Sequence, residues 1–455
     1  MTGDRVIVVG AGVAGLAAAN RLRLSGFDVT VLEAAPTIGG RLSTLEKDGY
    51  RIDLAASMML HSYKRTVDLV GELGLNDEIV PGSDVTGVAR DGVVHHLRGS
   101  HPLDGARTKL LSPKAKARMG ALVADVIRHR SKLDWGDEQE AADLDLGSAR
   151  EYADRRLRSP ELRDQLLDPA CRFLGLSSLE DIAAVDFLAL ARNMGKTTFF
   201  NHPLGMQFLS NALAAQVHVE CDARVTSVEE SGSEDGGGAV SVTWERAGEP
   251  AHVETAAACV LAVPAPILLG IAPQLDAERK EILDAVTYAP SLNVYIGLAS
   301  PPPETSALVL IPGNAEPELA CVILDHNKSS GRVPDGGGLL STYWHRDWSE
   351  KHWHDGDEEI LDAAWPALHR VLPGIEPEVR TLHVQRWPYA LVTGPVRRHR
   401  DLARLRELTP DGSRIRLAGD SVSSSNVEAC VRSGERAADE VARAVGTSRV
   451  LSQPS

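Results

Sequence analysis

The chain has 455 residues, of which 43% are hydrophobic. A single hydrophobic core stops growing at about 250–300 residues, so this length favours two domains. The formal net charge is −15 at pH 7, whereas proteins that bind nucleic acids or anionic membrane surfaces present a basic face. The composition therefore argues against both kinds of partner.

The cysteines are odd in number, widely separated and without C-x-x-C spacing, so the sequence predicts neither a disulfide framework nor a zinc site. No apolar stretch reaches the length of about 18 residues that a membrane-spanning helix needs. We expect a cytoplasmic bacterial protein with no membrane span, either a monomer or a homodimer. The cysteines are Cys171, Cys221, Cys259, Cys321 and Cys430.

A βαβ unit is predicted at the start of the chain. Residues 5–9 form an apolar, β-branched run, and residues 10–15 are rich in glycine. Residues 16–25 have a helical pattern, and residues 28–32 return to a strand pattern. This arrangement of strand, glycine loop, helix and strand is typical of a nucleotide-binding domain.

The remaining elements follow in chain order. Helices are predicted at 62–73, through most of 113–194, and at 206–215, 358–371 and 427–445. Strands are predicted at 218–220, 224–229, 240–245, 259–263 and 415–418. Four strand-like runs, separated by Pro and Gly turns, predict an antiparallel meander formed by 291–298, 307–311, 319–324 and 339–344.

The glycine loop carries the G-x-G-x-x-G spacing, with a strand before it and a helix after it. Gly10 permits the tight turn, Gly12 lets the backbone approach a diphosphate, and Gly15 lets helix and strand pack closely. The helix N-terminus then offers free N–H groups to the diphosphate. Glu33, eighteen residues after Gly15, is placed to accept hydrogen bonds from ribose hydroxyls and would repel a 2′-phosphate. NADP is therefore disfavoured.

A second glycine pair and an arginine follow directly after this unit, at Gly39, Gly40 and Arg41. A nicotinamide dinucleotide needs nothing further on this loop, whereas a flavin dinucleotide extends deeper into its protein. The glycines would let the backbone come close to it, and Arg41 would supply charge-assisted hydrogen bonds to a phosphate. The pattern favours a flavin.

Four motifs together resemble the flavin-dependent amine oxidase superfamily: VIVVGAGVAGLAAANRL, VTVLEA, GGRLST and, near the end, LAGDSVSSSNVEACVRSGERAA. That superfamily includes monoamine and polyamine oxidases, protoporphyrinogen oxidase and carotene desaturase-like enzymes. The resemblance implies an α/β fold. It consists of a Rossmann-like FAD-binding domain of the glutathione-reductase type and an α+β substrate domain with an antiparallel sheet and a helical insertion.

The same resemblance implies a domain division and a set of FAD contacts. The FAD-binding domain would be discontinuous, at 1–85, 205–285 and 385–450, and the substrate domain would comprise 86–204 and 286–384, with its helical part at about 107–204. FAD would be held noncovalently, because RWPYALVTGPV lacks the cysteine that tethers flavin in monoamine oxidases. The implied FAD-binding residues are Gly10, Gly12, Ala14, Gly15, Glu33, Ala34, Gly39, Gly40, Arg41, Val225, Gly419, Asp420, Val427 and Glu428.

Candidate substrate-facing residues come from two strands. Alternation along 291–298 places Asn293 and Tyr295 on the face opposite the leucine, valine and isoleucine residues. Asn293 stands where the amine-oxidising branch commonly has a lysine, which moves the likeness toward protoporphyrinogen oxidases and desaturases. Trp387 and Tyr389 lie in the stretch where the family has its pocket aromatics. We predict these four as the catalytic-side residues.

The predicted activity is transfer of hydride from a C–H or C–N bond of a small to medium organic substrate to flavin N5. The chain has one dinucleotide fingerprint, so reoxidation by oxygen or a soluble acceptor is expected. Two alternatives stay open: a flavin-dependent isomerase or cyclase without net redox, and a non-catalytic flavin-binding protein. No metal is predicted, because the His- and Asp-rich run at 344–355 lacks the spacing of metal ligands.

Overall fold

The computed structural model describes residues 4–98, 101, 103–194, 198–231, 238–375 and 378–451. The α-helices in these ranges are α1 (Val13–Leu24), α2 (Lys64–Glu72), α3 (Leu103–Arg107), α4 (Pro113–His129), α5 (Ala149–Tyr152), α6 (Pro160–Leu162), α7 (Asp168–Gly175), α8 (Ala184–Met194), α9 (Phe208–Ala214), α10 (Ala265–Ile271), α11 (Ala277–Asp284), α12 (Asp325–Lys328), α13 (Arg346–Lys351), α14 (Asp357–Val371), α15 (Arg398–Leu408) and α16 (Val427–Leu451).

The strands in the same ranges are β1 (Arg5–Val9), β2 (Asp28–Leu32), β3 (Thr44–Lys47), β4 (Tyr50–Asp53), β5 (Met59–Leu60), β6 (Val80–Pro81), β7 (Val85–Arg90), β8 (Val93–Arg98), β9 (Phe199–Asn201), β10 (His218–Glu220), β11 (Arg224–Ser231), β12 (Ala239–Glu245), β13 (His252–Ala256), β14 (Ala258–Leu261), β15 (Tyr288–Leu298), β16 (Leu308–Leu310), β17 (Leu319–Leu324), β18 (Gly338–Trp344), β19 (Val379–Val392) and β20 (Ile415–Leu417).

A five-stranded sheet in the order β10-β2-β1-β14-β20 contains the N-terminal βαβ unit. All its strand pairs are parallel. Parallel sheets are covered on both faces, which explains the continuous apolar runs of β1 and β14. Helix α1 begins at Val13 rather than at residue 16, because the glycine loop already ends at the N-cap, Gly12.

Helices α1 and α16 pack against each other on one face of this sheet. Glycines allow the close approach: a Cβ atom on Gly434 of α16 would lie 2.1 Å from the carbonyl oxygen of Ala14. Within the first loop, a Cβ atom on Gly15 would lie 2.0 Å from the carbonyl oxygen of Gly10. The first and last long helices are therefore in backbone contact.

The second large sheet has seven strands in the order β19-β15-β18-β17-β16-β7-β8. Its pairs are antiparallel except β16 with β7. Alternate residues of β15, from Leu292 to Leu298, form one apolar core with α14, as the period-two pattern predicts. This sheet and the parallel sheet give the chain a mixed α/β architecture.

The predicted four-stranded meander is wrong in its first connection. β16, β17 and β18 do form a meander, but β15 pairs with β18 and β19 instead of β16. β15 has 11 residues, nearly all buried, whereas β16 has only three. A buried strand needs long neighbours on both edges to satisfy its backbone groups, and β18 and β19 supply them.

The segment predicted to be helical, 113–194, contains α4 to α8 together with short 3-10 and π-helical stretches, so this prediction is confirmed. β19 is one continuous strand across residue 385, where a domain boundary was expected. The division into domains stays a prediction. Among the described residues, no helix combines the length and the apolar character needed to cross a lipid bilayer.

The close contact between α1 and α16 gives a stability prediction. Gly434→Ala should lower the free energy of unfolding by about 1–3 kcal/mol, because the new methyl group would overlap the Ala14 carbonyl. In the matched control Gly446→Ala, on the same helix, the new Cβ atom meets nothing within 4 Å. The control should raise the free energy of unfolding by up to about 1 kcal/mol through helix propensity. Urea unfolding followed by circular dichroism measures both, and equal effects would contradict the packing argument.

Candidate functional site

A cavity of about 310 Å³ is lined by residues that belong to or follow strands of both sheets. Gly12, Ala262 and Gly419, which follow the carboxyl ends of β1, β14 and β20, line one side of it. Asn293 and Trp387 of the seven-stranded sheet line another side. Ligands of open parallel sheets bind beyond the carboxyl ends of the strands, so the position itself indicates a binding site.

The two glycine motifs fold onto each other at the cavity. Gly10 has a φ of +101°, and Gly39 has a φ of +103° and donates its N–H to the carbonyl of Ala11 over 2.9 Å. The carboxylate of Glu33 accepts from the N–H of Ala11 over 2.6 Å and from the N–H of Ala35 over 2.8 Å. The second pair of glycines thus closes the loop made by the first.

Arg41 connects this loop to the end of the chain. Its Nη1 donates to Asp420 Oδ2 over 2.5 Å, to the carbonyl of Tyr389 over 3.1 Å and to the carbonyl of Ala390 over 3.0 Å. Burial alone would raise the pKa of the Asp420 carboxyl group, but the charge of Arg41 and hydrogen bonds from Arg41 and Ser425 hold it below its usual value. Both groups are therefore charged at neutral pH.

The N-terminus of α16 points toward the cavity. Asn426 lines the cavity and caps the helix by accepting from the N–H of Ala429 over 2.9 Å, and Val427 also lines the cavity. Free N–H groups at a helix start carry partial positive charge, so this end favours a ligand that is negative or that becomes negative.

Glu428 does not line the cavity. Its carboxylate accepts from the N–H groups of Arg65 and Thr66 over 3.0 and 2.9 Å and from the Thr66 hydroxyl over 2.8 Å. These are free donors in the first turn of α2, and a carboxylate near a helix N-terminus is stabilising. Glu428 therefore joins α16 to α2, and its contact with FAD stays a prediction.

All the predicted FAD-binding residues divide into two groups. The residues that line the cavity are Gly12, Ala14, Gly39, Arg41, Gly419, Asp420 and Val427. The residues outside its lining are Gly10, Gly15, Glu33, Ala34, Gly40, Val225 and Glu428. Gly10, Gly15 and Glu33 shape the loop behind the lining, and Val225 is packed in the core beside β1 and β2. Their roles toward a cofactor stay predictions.

Asn293 lies on the cavity wall, but its polar atoms already have protein partners. Its Nδ2 donates to the carbonyl of Leu54 over 3.1 Å and to the hydroxyl of Tyr295 over 3.2 Å. Its Oδ1 accepts from the hydroxyl of Ser291 over 2.6 Å. The side chain therefore anchors the segment after β4 to the sheet.

Trp387 also lines the cavity and also points its polar atom at this segment, donating Nε1–H to the carbonyl of Leu54 over 2.9 Å. Tyr343 of β18 donates its hydroxyl to the carbonyl of Ala55 over 3.0 Å. Three strands of one sheet therefore hold residues 54–55 in place through side chains that also line the cavity, namely Asn293, Tyr343 and Trp387.

Two predicted substrate-facing residues lie elsewhere. Tyr295 is fully buried with Tyr50 and Ile52, because the β3–β4 hairpin covers the sheet face beyond Asn293. Tyr389 does not line the cavity; its ring contacts Tyr288, and only its carbonyl reaches Arg41. It lies in an irregular part of β19, between the pairs with Ser291 and Ala289, where strict alternation fails.

The helical region adds cavity residues that the sequence did not indicate. Trp135, which precedes the 3-10 helix Glu138–Leu144, and Leu190 of α8 line the cavity. Asp186 of α8 and Arg398 of α15 line it as well. These four residues form no recognisable sequence motif, because they come together only through the packing of helices that are distant in the chain.

The carboxylate of Asp186 contacts the ring of His399, a buried side chain that is 4% exposed. His399 Nε2 lies 3.0 Å from Asp186 Oδ1, and Nδ1 lies 2.8 Å from the carbonyl oxygen of Glu138. Burial alone would lower the pKa of His399, but Asp186 and these hydrogen bonds raise it to about 9. The imidazolium and the carboxylate thus form an ion pair at neutral pH.

The chain is similar in sequence to known flavin-containing proteins. The family model described as flavin-containing amine oxidoreductase matches residues 13–442, which confirms the resemblance inferred from the terminal motifs. Coproporphyrinogen III oxidase of Mycobacterium tuberculosis is 27% identical over 475 residues, covering 98% of this chain and 99% of that protein. Mitochondrial protoporphyrinogen oxidase of Nicotiana tabacum is 37% identical over 131 residues, covering 28% of this chain and 25% of that protein.

Solved structures share the fold over almost the whole chain. Cyclohexylamine oxidase from Brevibacterium oxydans IH-35A superposes with a TM-score of 0.74 at 18% identity, covering 97% of this chain and 99% of that one. Wild-type putrescine oxidase superposes with a TM-score of 0.74 at 20% identity, covering 96% of this chain and 99% of that one. The prediction of a mixed α/β fold is confirmed.

The ion pair of His399 gives a pH prediction. Its pKa of about 9 in the folded chain exceeds the ordinary value of 6.5, so the pair stabilises fully below pH 6.5 and loses its effect as pH rises toward 9. The wild type should lose on the order of 3 kcal/mol of stability across this window. His399→Gln should have a lower melting temperature at pH 6 and a flatter profile up to pH 9. Identical profiles in thermal denaturation would contradict the assignment.

Proposed function

We propose that this chain, which belongs to the flavin-containing amine oxidoreductase family, binds FAD noncovalently and takes hydride from an organic substrate. The observation that carries the proposal is the shared cavity. One cavity is lined both by the N-terminal glycine loops and by residues of the seven-stranded sheet and the helical region. A dinucleotide and a substrate would therefore meet in the same space.

The residues present fit a flavin dinucleotide. A Cβ atom on Gly12 would meet nothing within 4 Å, so this glycine leaves open space in front of the N-terminus of α1, suited to a diphosphate. Arg41 would add a positive charge near that group, and Glu33 would accept from ribose hydroxyls. The N-terminus of α16 would face the redox-active ring and favour its negative form.

Noncovalent binding is supported by the thiols at the cavity. Cys321 and Cys430 both line it. Burial raises the pKa of each thiol to about 12, so both are protonated at neutral pH. A protonated thiol is a poor nucleophile, and neither cysteine is therefore suited to form a bond to flavin.

The domain division follows from the same reasoning. We assign the five-stranded parallel sheet and its glycine loops to a Rossmann-like FAD-binding domain of the glutathione-reductase type. The seven-stranded sheet and helices α4 to α8 would form the substrate domain, and β19 would belong to both, since its last residues line the cavity beside Asp420. Oxygen or a soluble compound would accept the electrons, because the chain has one dinucleotide fingerprint.

Cofactor binding is tested by substitution of the two charged residues of the glycine loops. Glu33→Ala and Arg41→Ala should each weaken FAD binding by about 10- to 150-fold, because a lost hydrogen bond to a charged group costs about 1.5–3 kcal/mol. Matched controls are Glu46→Ala and Arg380→Ala, whose side chains are 67% and 60% exposed and lie outside the cavity lining. The measurement is the ratio of FAD to protein after gel filtration, with the melting temperature recorded for each variant.

Unchanged FAD retention in both folded variants would contradict the proposed contacts. Catalysis is tested by anaerobic bleaching of the bound flavin with candidate substrates. Bleaching that reverses on admission of oxygen supports net hydride transfer. Product formation without bleaching, peroxide or an acceptor would favour the isomerase alternative, and a colourless protein that binds only a nicotinamide nucleotide would overturn the proposal.

A further inference from the structure

Tyr63 brings a hydroxyl group to the cavity that no other described residue uses. The side chain lines the cavity and is only 8% exposed. Among the described residues its hydroxyl makes no hydrogen bond, yet it does not belong to the polar atoms that packing closes off completely. A buried hydroxyl normally has a hydrogen-bond partner. The accessible part of this hydroxyl therefore faces the cavity, where a ligand can supply the partner.

Helix α16 and Trp135 fix the position of Tyr63. Tyr63 directly precedes α2, and Glu428 of α16 holds the first turn of α2 through the N–H groups of Arg65 and Thr66. The ring of Tyr63 packs edge-on against Trp135, with 5.4 Å between the ring centroids. The backbone and the ring are thus anchored separately, which holds the hydroxyl close to the first turns of α16.

Tyr63 acts as a hydrogen-bond donor at neutral pH. Burial raises the pKa of its phenol well above the usual range, and the nearby carboxylate of Glu428 acts in the same direction. The group therefore stays protonated. Its donor gains most from an acceptor oxygen that carries negative charge, because charge-assisted hydrogen bonds are the strong ones.

Asn426 offers a second donor at the same end of α16. Its Oδ1 accepts from the N–H of Ala429 over 2.9 Å and so caps the helix. Asn426 lines the cavity, and its Nδ2 makes no hydrogen bond to any residue that the structure describes. The free N–H groups at the start of α16 add partial positive charge. Two side-chain donors and a helix N-terminus therefore act on one part of the cavity.

We propose that Tyr63 and Asn426 donate hydrogen bonds to the flavin-ring oxygen on which negative charge collects during reduction. The inference rests on the proposed function and adds two residues that set the reduction potential of the cofactor. Uptake of hydride from a substrate C–H bond brings two electrons and one proton to the neutral ring and leaves it with one negative charge, while the substrate loses that electron pair. Donors placed in advance at this oxygen favour the reduced form.

The test measures the midpoint potential of bound FAD by anaerobic titration against a reference dye, without substrate. Tyr63→Phe removes the hydroxyl and keeps the ring that packs on Trp135. Its affinity for reduced over oxidised FAD should fall about tenfold, which lowers the potential by about 30 mV for two electrons. The matched control Tyr152→Phe removes a hydroxyl that donates to Asp125 Oδ2 over 2.9 Å outside the cavity lining, and it should keep the wild-type potential.

A second variant tests the amide independently of Tyr63. Asn426→Asp keeps the size of the side chain and the cap on α16, because Asp caps helices about as well as Asn does. It replaces the donor with a negative charge, so the affinity for reduced over oxidised FAD should fall by at least about tenfold. The melting temperature of each variant shows whether it is folded.

The outcomes distinguish this inference from the proposed function. Purified wild-type protein that neither retains nor rebinds FAD would overturn both. Retained FAD with the wild-type potential in both folded variants would overturn the inference alone. Weaker binding of benzoate to Tyr63→Phe, at an unchanged potential, would assign the donors to a substrate carboxylate and likewise overturn it. Lower potentials in both variants, with the control unchanged, support the inference.

Discussion

The ion pair between Arg41 and Asp420 is the interaction on which the site depends. It joins residues 379 positions apart and, through the carbonyls of Tyr389 and Ala390, also holds the end of β19. Asp420 is almost fully buried, and breaking one partner of a buried pair leaves an uncompensated charge at a cost of about 3–5 kcal/mol. Three segments that are remote in sequence are thus forced to meet at one edge of the parallel sheet, and the cavity is the space between them.

Helix α16 also contacts several other parts of the molecule. Gly434 brings it against α1, and Glu428 fixes the start of α2. Arg432 donates to the carbonyl of Trp135 and pairs with Asp137, while Arg436 donates to the carbonyl of Gly136 over 2.9 Å. Trp135, which lines the cavity, is therefore positioned by the helix whose N-terminus also faces the cavity.

Sequence reasoning succeeded where a local pattern decides the structure. The glycine loop, the βαβ unit and the apolar face of β15 depend on residues close together in the chain, and so they could be predicted. It could not anticipate the packing where distant parts of the chain compete for one surface. Tyr295 has the right parity for the cavity but is covered by a hairpin, and Glu428 has a helix start within reach that the sequence does not reveal. The pair of Asp186 and His399, separated by 213 positions, has no local signature at all.

Because Gly12 and Arg41 near the beginning and Asp420 and Val427 near the end share one wall, the binding site is a late product of protein synthesis. A nascent chain still attached to the ribosome lacks the acidic partner of Arg41 until translation has passed residue 420. The ion pair of Arg41 therefore forms only after the segment around Asp420 has been made, and a product that stops before that segment would have an arginine without its counter-ion and an incomplete cavity wall.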